Sequence, residues 1–161
     1  MTRRASWSSR ADGPRAVTML RTPGDWGPLT FDDPFCAHIG GMQMLYTGDA
    51  VEPVRFGMEV QAHQCNRLGF CHGGLLSTFL DTALGVCAIE ICGHDWGGPT
   101  INLSVDFLQG APQGDWIESR VTLEHTTRSL MFVTGTVVGS PGPIARATAL
   151  FKQPRPAPQA A

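Results

Sequence analysis

The sequence has little net charge, −2 over 161 residues, which excludes the basic footprint by which nucleic-acid binders hold phosphates. No nucleic-acid partner is expected. It also lacks an apolar run near its start of the kind that a secretion signal needs. Only the stretch 75–91 is long enough to resemble a membrane span. Ser77, Thr78, Asp81, Thr82 and Glu90 lie within it, so no membrane partner is expected either. The five cysteines, Cys36, Cys65, Cys71, Cys87 and Cys92, are odd in number and show no paired Cys-x-x-Cys spacing, which argues against a disulfide framework. Neither Cys65, Cys71 and His72 nor Cys92 and His94 has the spacing of a structural zinc site. The expectation is therefore no metal and no other cofactor. Free cysteines acting as small hydrophobes point to a reducing, cytoplasmic compartment.

What is present is enough apolar residue for one core: 42% hydrophobic against 16% charged. Charge is uneven, because residues 1–21 carry five arginines against Asp12, a local balance of +4. With its Gly and Pro content, 1–30 reads as a flexible arm, 31–153 as one folded domain, and 154–161 as a disordered tail. "FDDPFCAHIG" (31–40) has the signals of a short helix, with Asp32 or Asp33 as cap, Pro34 in the first turn and Gly40 as stop. Strand-like stretches follow at 42–48 and 54–62, then a polar loop at 63–72 and a long helix at 73–92. Four strands come next, at 100–109, 115–126, 129–139 and 144–153, joined by hairpin-like turns. The class is α+β: an antiparallel sheet of about six strands and one dominant helix. The alternation of Ile101, Leu103, Val105 and Phe107 suggests an apolar sheet face that a second copy would have to cover.

The long helix is apolar around most of its circumference, which is the pattern of a buried helix. Gly74, Ser77, Thr78, Asp81, Thr82 and Gly85 recur at spacings of three or four, a narrow stripe of small and polar side chains. An ionised Asp81 there costs several kcal/mol unless it is partnered. Two readings are open: a structural acid bonded to a neighbour, or a carboxylate that faces a ligand. His72-Gly73-Gly74 opens the helix with residues that leave the first backbone N–H groups uncovered, suited to a polarised carbonyl oxygen. Asn66 adds an amide that can donate or accept. An N–H pocket, an amide and an acid in an apolar setting are the components of acyl-transfer hydrolysis.

Asn66-x-x-Gly69-x-x-His72-Gly73-Gly74, followed by Asp81 and Ala83, resembles the signature of hotdog-fold acyl-CoA thioesterases of the phenylacetate-pathway (PaaI) type. The resemblance spans roughly 34–152, with Cys71 standing where a branched aliphatic is more usual. It implies a hotdog fold, a curved antiparallel sheet wrapped around the long helix, assembled as a homodimer or homotetramer with sites between subunits. It also implies roles. The Gly73 N–H polarises the thioester carbonyl, with Gly74 beside it in the substrate site. Asp81, from the partner chain, is nucleophile or general base. Asn66 and His72 orient the thioester or the attacking water, and Thr100 holds that water. Arg120 and Arg128 are candidates for the phosphates of CoA, which is part of the substrate rather than a cofactor. No Gly-x-Ser-x-Gly elbow supports an α/β-hydrolase. The alternatives are a hotdog hydratase or dehydratase acting on acyl thioesters, which the acid at Asp81 disfavours, and a non-catalytic acyl-CoA binding module.

Overall fold

The structure is a computed structural model that describes residues 25–94 and 97–154. Seven strands form one antiparallel sheet: β1 (Trp26–Pro28), β2 (Gln43–Tyr46), β3 (Val54–Glu59), β4 (Thr100–Phe107), β5 (Trp116–Thr126), β6 (Leu130–Gly139) and β7 (Gly142–Lys152). Their order across the sheet is β1-β2-β3-β5-β6-β7-β4. A short helix, α1 (Pro34–Ile39), and the long helix, α2 (Gly73–Cys92), complete the fold. This is the hotdog arrangement, with α2 lying on the inner face of the sheet.

The length of α2 follows from the topology. It must carry the chain from β3 to β4, with β5, β6 and β7 in between. Four interstrand spacings amount to about 19 Å, and twenty helical residues reach about 30 Å. The ends of α2 are set locally: His72 is the N-cap, and Gly93, at φ 67°, takes the left-handed conformation that stops the helix. Leu75, Leu76, Phe79, Leu80, Ala83, Leu84, Cys87 and Ala88 are buried against Val54, Phe56, Met58, Ile117, Met131, Val133 and Phe151 of the sheet. The helix comes close because the strands beneath it offer small residues. A Cβ on Gly135 would lie 2.6 Å from the Leu84 side chain, and Ala145, Ala147 and Ala149 of β7 present only methyl groups.

Some expectations need correction. The last part of the expected arm is structured, since Trp26, Gly27 and Pro28 pair with Leu45, Met44 and Gln43. Residues 1–24 lie outside the described residues, as do 155–161 of the expected tail. Pro154, the first residue of that tail, is buried. The stretch 54–62 ends as a strand at Glu59 and continues into a single 3-10 turn at Ala62–Gln64. Ile101 has no pairing partner on β7, unlike Leu103, Val105 and Phe107. A bulge between Thr100 and Asn102 shifts the register, so Thr100, Leu103, Val105 and Phe107 pair with the inward-facing Phe151, Ala149, Ala147 and Ala145. The outer sheet face is not apolar, carrying Thr122, Thr134, Thr136, Thr148, Arg120 and Arg146 around a groove of about 600 Å³. What stays apolar in water is the edge: Ile101 and Phe107 of β4 are each 55% exposed, and Leu108 beyond it is 50% exposed.

On the outer face β1 is held by tryptophan packing. The rings of Trp26 and Trp116 meet edge to face with centroids 5.1 Å apart. Both rest on Gly57, where a Cβ would lie 2.5 Å from the Trp116 ring and 2.7 Å from that of Trp26. Gly57→Ala is therefore expected to cost about 1–3 kcal/mol by overpacking, read as a lower midpoint in urea unfolding. An unchanged midpoint would mean that the tryptophans do not need the space.

Candidate active site at the open sheet edge

The site begins in the loop ahead of α2. Asn66 holds this loop shut: its Oδ1 accepts from the N–H of Leu68 at 2.8 Å and of Phe70 at 3.4 Å, and its own N–H donates to the Phe70 carbonyl at 2.7 Å. Gly69, at φ 81°, supplies the left-handed turn. The Asn66 side-chain carbonyl is thus engaged by the backbone, and its NH₂ group makes no hydrogen bond among the described residues. That split is not legible from the sequence, where Asn66 reads only as an amide that can donate or accept.

His72 is likewise part structural. Its Nδ1 accepts from the Gly74 N–H at 3.0 Å, so the ring itself caps the helix. An accepting Nδ1 leaves the proton on Nε2, so His72 offers one outward donor from an exposed ring. Gly74 contributes no free N–H, contrary to the expectation that both glycines leave theirs uncovered. The Gly73 N–H has no partner among the described residues, and the positive end of the helix dipole lies there. The Phe107 ring packs against it, 3.3 Å from where a Gly73 Cβ would be.

Asp81 lies two turns along, half-buried, and its Oδ1 accepts from the Thr100 hydroxyl at 2.8 Å within the same chain. Its other oxygen has no partner among the described residues. The stripe predicted around it divides. Ser77 and Thr78 donate back to the Gly73 and Gly74 carbonyls at 3.0 and 3.1 Å. Thr82 faces Cys36 of α1, at 3.6 Å, and Gly85 faces the sheet, where a Cβ would meet Phe151 at 3.1 Å. Only the part around Asp81 opens toward β4. Thr100 and Phe107 are the two ends of β4, so the edge strand links both halves of the site. Phe107 carries no motif, and only its place opposite Gly73 reveals it.

The two arginines lie elsewhere. Arg128 is exposed in the β5–β6 turn. Arg120 lies on the outer sheet face, away from α2, donating to Glu118 at 2.8 Å and to the Ser119 carbonyl at 2.9 Å. Burial alone would raise the Glu118 carboxyl. Hydrogen bonds from Arg120 and Trp116, with the charges of Arg120 and Arg55, nevertheless hold it below its ordinary value. No cluster of three His, Cys, Asp or Glu side chains suited to a metal occurs among the described residues.

Residues 68–144 match the family model of the thioesterase superfamily. Over that stretch, a little under half of the chain, the protein is similar to that superfamily, and its fold is the hotdog fold of the solved structures it superposes on. A curated Pseudomonas aeruginosa relative, named "Putative esterase PA0474", is 26% identical over 136 residues, covering 84% of this chain and all of that one. Among solved structures, the conserved protein PA5202 from Pseudomonas aeruginosa superposes with a TM-score of 0.68 at 21% identity, covering 76% of this chain and 95% of that one. A variant of phenylacetic acid degradation protein PaaI from Thermus thermophilus gives 0.65 at 21% identity, covering 76% of this chain and 100% of that one. Zebrafish thioesterase superfamily member 2 gives 0.66 at 20%, over 76% and 89% of the two chains.

The Glu118 cluster yields a pH prediction. A carboxyl held below its ordinary value stabilises the fold above that value and loses the contribution as pH falls through the lowered one. Glu118→Gln is expected to be less stable than the parent at neutral pH, with the gap closing as unfolding is measured at pH values below about 4.5. A gap that stays constant down to acid pH would show that the carboxylate charge contributes nothing.

Proposed function

We propose that this protein is a thioesterase that hydrolyses an acyl- or aryl-acyl-CoA thioester to the free acid and CoA, in a site shared by two copies of the chain. The observation that carries the reading is a pair of unengaged groups tied to opposite ends of one open edge strand. They are the Gly73 N–H, beside Phe107, and the free oxygen of Asp81, fixed through Thr100. Within one chain they are eight residues apart on α2, about 12 Å, too far to act on one carbonyl. The outer edge of β4 is unpaired among the described residues, and its exposed Ile101 and Phe107 favour cover by a second β4. Antiparallel pairing about a two-fold axis near the middle of the strand sets the Thr100 end of one copy beside the Phe107 end of the other. Asp81 then stands near Gly73 of the partner subunit. The groove on the outer face includes neither residue.

In this reading the Gly73 N–H, with the Nε2–H of His72 nearby, receives the thioester carbonyl oxygen. The Asp81 oxygen left free by Thr100 takes a proton from water, whose oxygen attacks the carbonyl carbon. Negative charge gathers on the carbonyl oxygen at the helix N-terminus, where it is stabilised. Collapse breaks the C–S bond, and the CoA sulfur takes the proton back from Asp81. Thiolate leaves readily, so neither a metal nor a serine nucleophile is needed.

A panel of acyl-CoAs with free thiol monitored tests the activity: hydrolysis releases thiol, hydration leaves the thioester intact, and a binding module releases none. Asp81→Asn preserves shape and the Thr100 contact while removing charge and basicity. Turnover is expected to fall about 10²-fold or more with acyl-CoA binding retained, and stability to hold or rise. Full turnover in a destabilised Asp81→Asn protein would contradict the assignment and restore Asp81 as a structural acid.

A further inference from the structure

Cys65 and Cys71 face each other at the base of the loop that leads into α2. They are the two members of an isolated antiparallel bridge. The hydrogen bonds on either side run from His72 N–H to the Gln64 carbonyl at 2.9 Å and from Asn66 N–H to the Phe70 carbonyl at 2.7 Å. That pattern makes 65 and 71 a non-hydrogen-bonded pair, whose Cα atoms lie about 4.5 Å apart with both side chains on one face. A disulfide accepts Cα separations of about 4.4–6.8 Å, so joining the two requires little backbone movement. Both thiols are free, with Cys71 buried and Cys65 partly open to solvent. Burial pushes the Cys71 thiol up to about 12, and charge on Cys65 pushes the same way, as expected of neighbouring sulfurs. No other two cysteines are strand partners among the described residues.

We propose that Cys65 and Cys71 form a reversible disulfide that pins the loop 66–70 immediately ahead of the helix N-terminus. The oxidant is a peroxide. Hydrogen peroxide converts the more accessible Cys65 thiol to a sulfenic acid with release of water. The Cys71 sulfur then attacks the Cys65 sulfur, and its proton leaves with the displaced hydroxide as a second water. Two thiols are oxidised by two electrons, one peroxide is reduced to two waters, and a dithiol reductant reverses the bond. The ring so formed encloses Asn66 and abuts His72, so loop opening becomes redox-dependent.

The loop supplies its own readout, because trypsin cleaves after Arg67, between the two cysteines. Full-length protein treated with hydrogen peroxide and then digested without reductant is expected to yield peptides 56–67 and 68–120 joined, and dithiothreitol should separate them. The joined product is expected to vanish in both Cys65→Ser and Cys71→Ser. Amide exchange over 67–70 should slow by about tenfold in the oxidised parent. Separate peptides from oxidised folded parent, a joined product that survives Cys71→Ser, or a bond that leaves exchange unchanged would each overturn the proposal. None of these readouts depends on thioester hydrolysis, so they stand or fall apart from the proposed activity.

Discussion

Packing α2 onto the sheet is the constraint from which the rest of the structure follows. A helix that is apolar on nearly every side has to be covered along its length, and the sheet covers it by curving and by placing Gly135 and alanines beneath Leu84 and its neighbours. The one acidic side chain in the middle of α2 is tolerable only where cover runs out. Asp81 meets that condition beside β4, the last strand of the sheet, where Thr100 supplies a hydroxyl. The carboxylate is fixed at one oxygen by Thr100 and free at the other on the half-buried side of the helix.

The same geometry explains why the site is divided. The first N–H of α2 and Asp81 are separated by rigid helix, and nothing within one chain can bring them together. The edge strand supplies the means, since one of its ends touches Gly73 through Phe107 and the other touches Asp81 through Thr100. A two-fold pairing of that strand exchanges the ends. In the proposed enzyme, assembly is then a requirement of the chemistry rather than an addition to it.

Local signals in the sequence located most of the fold, and long-range contacts supplied what they missed. The boundaries of α2 were readable because His72 and Gly93 are local start and stop chemistry, and Asp33 marks α1 in the same way. β1 was not readable: three residues in a Gly/Pro-rich segment become a strand only through Trp116 and the space above Gly57. The bulge that leaves Ile101 unpaired was not readable either, since it shifts register without leaving a mark in hydropathy. In the site, residue types pointed to Asn66, His72, Gly73 and Asp81, and the family resemblance added Thr100, but neither told which atom of each is free. The Asn66 side-chain carbonyl and the His72 Nδ1 are consumed in holding the loop and capping the helix. Phe107 has no motif at all and is found only by its position on the strand.

Mixing two inactive variants tests the shared site most directly. Gly73→Pro deletes one N–H at a first-turn position where proline is accommodated, after a His72 backbone that is already extended. Asp81→Asn deletes the carboxylate. Each homodimer should be inactive, whereas co-refolding equal amounts yields mixed dimers in which one of the two sites is intact. The account predicts recovery of about one quarter of wild-type thioesterase activity in the mixture. A mixture as inactive as its components, with mixed dimers verified by mass, would show that both groups must come from the same chain.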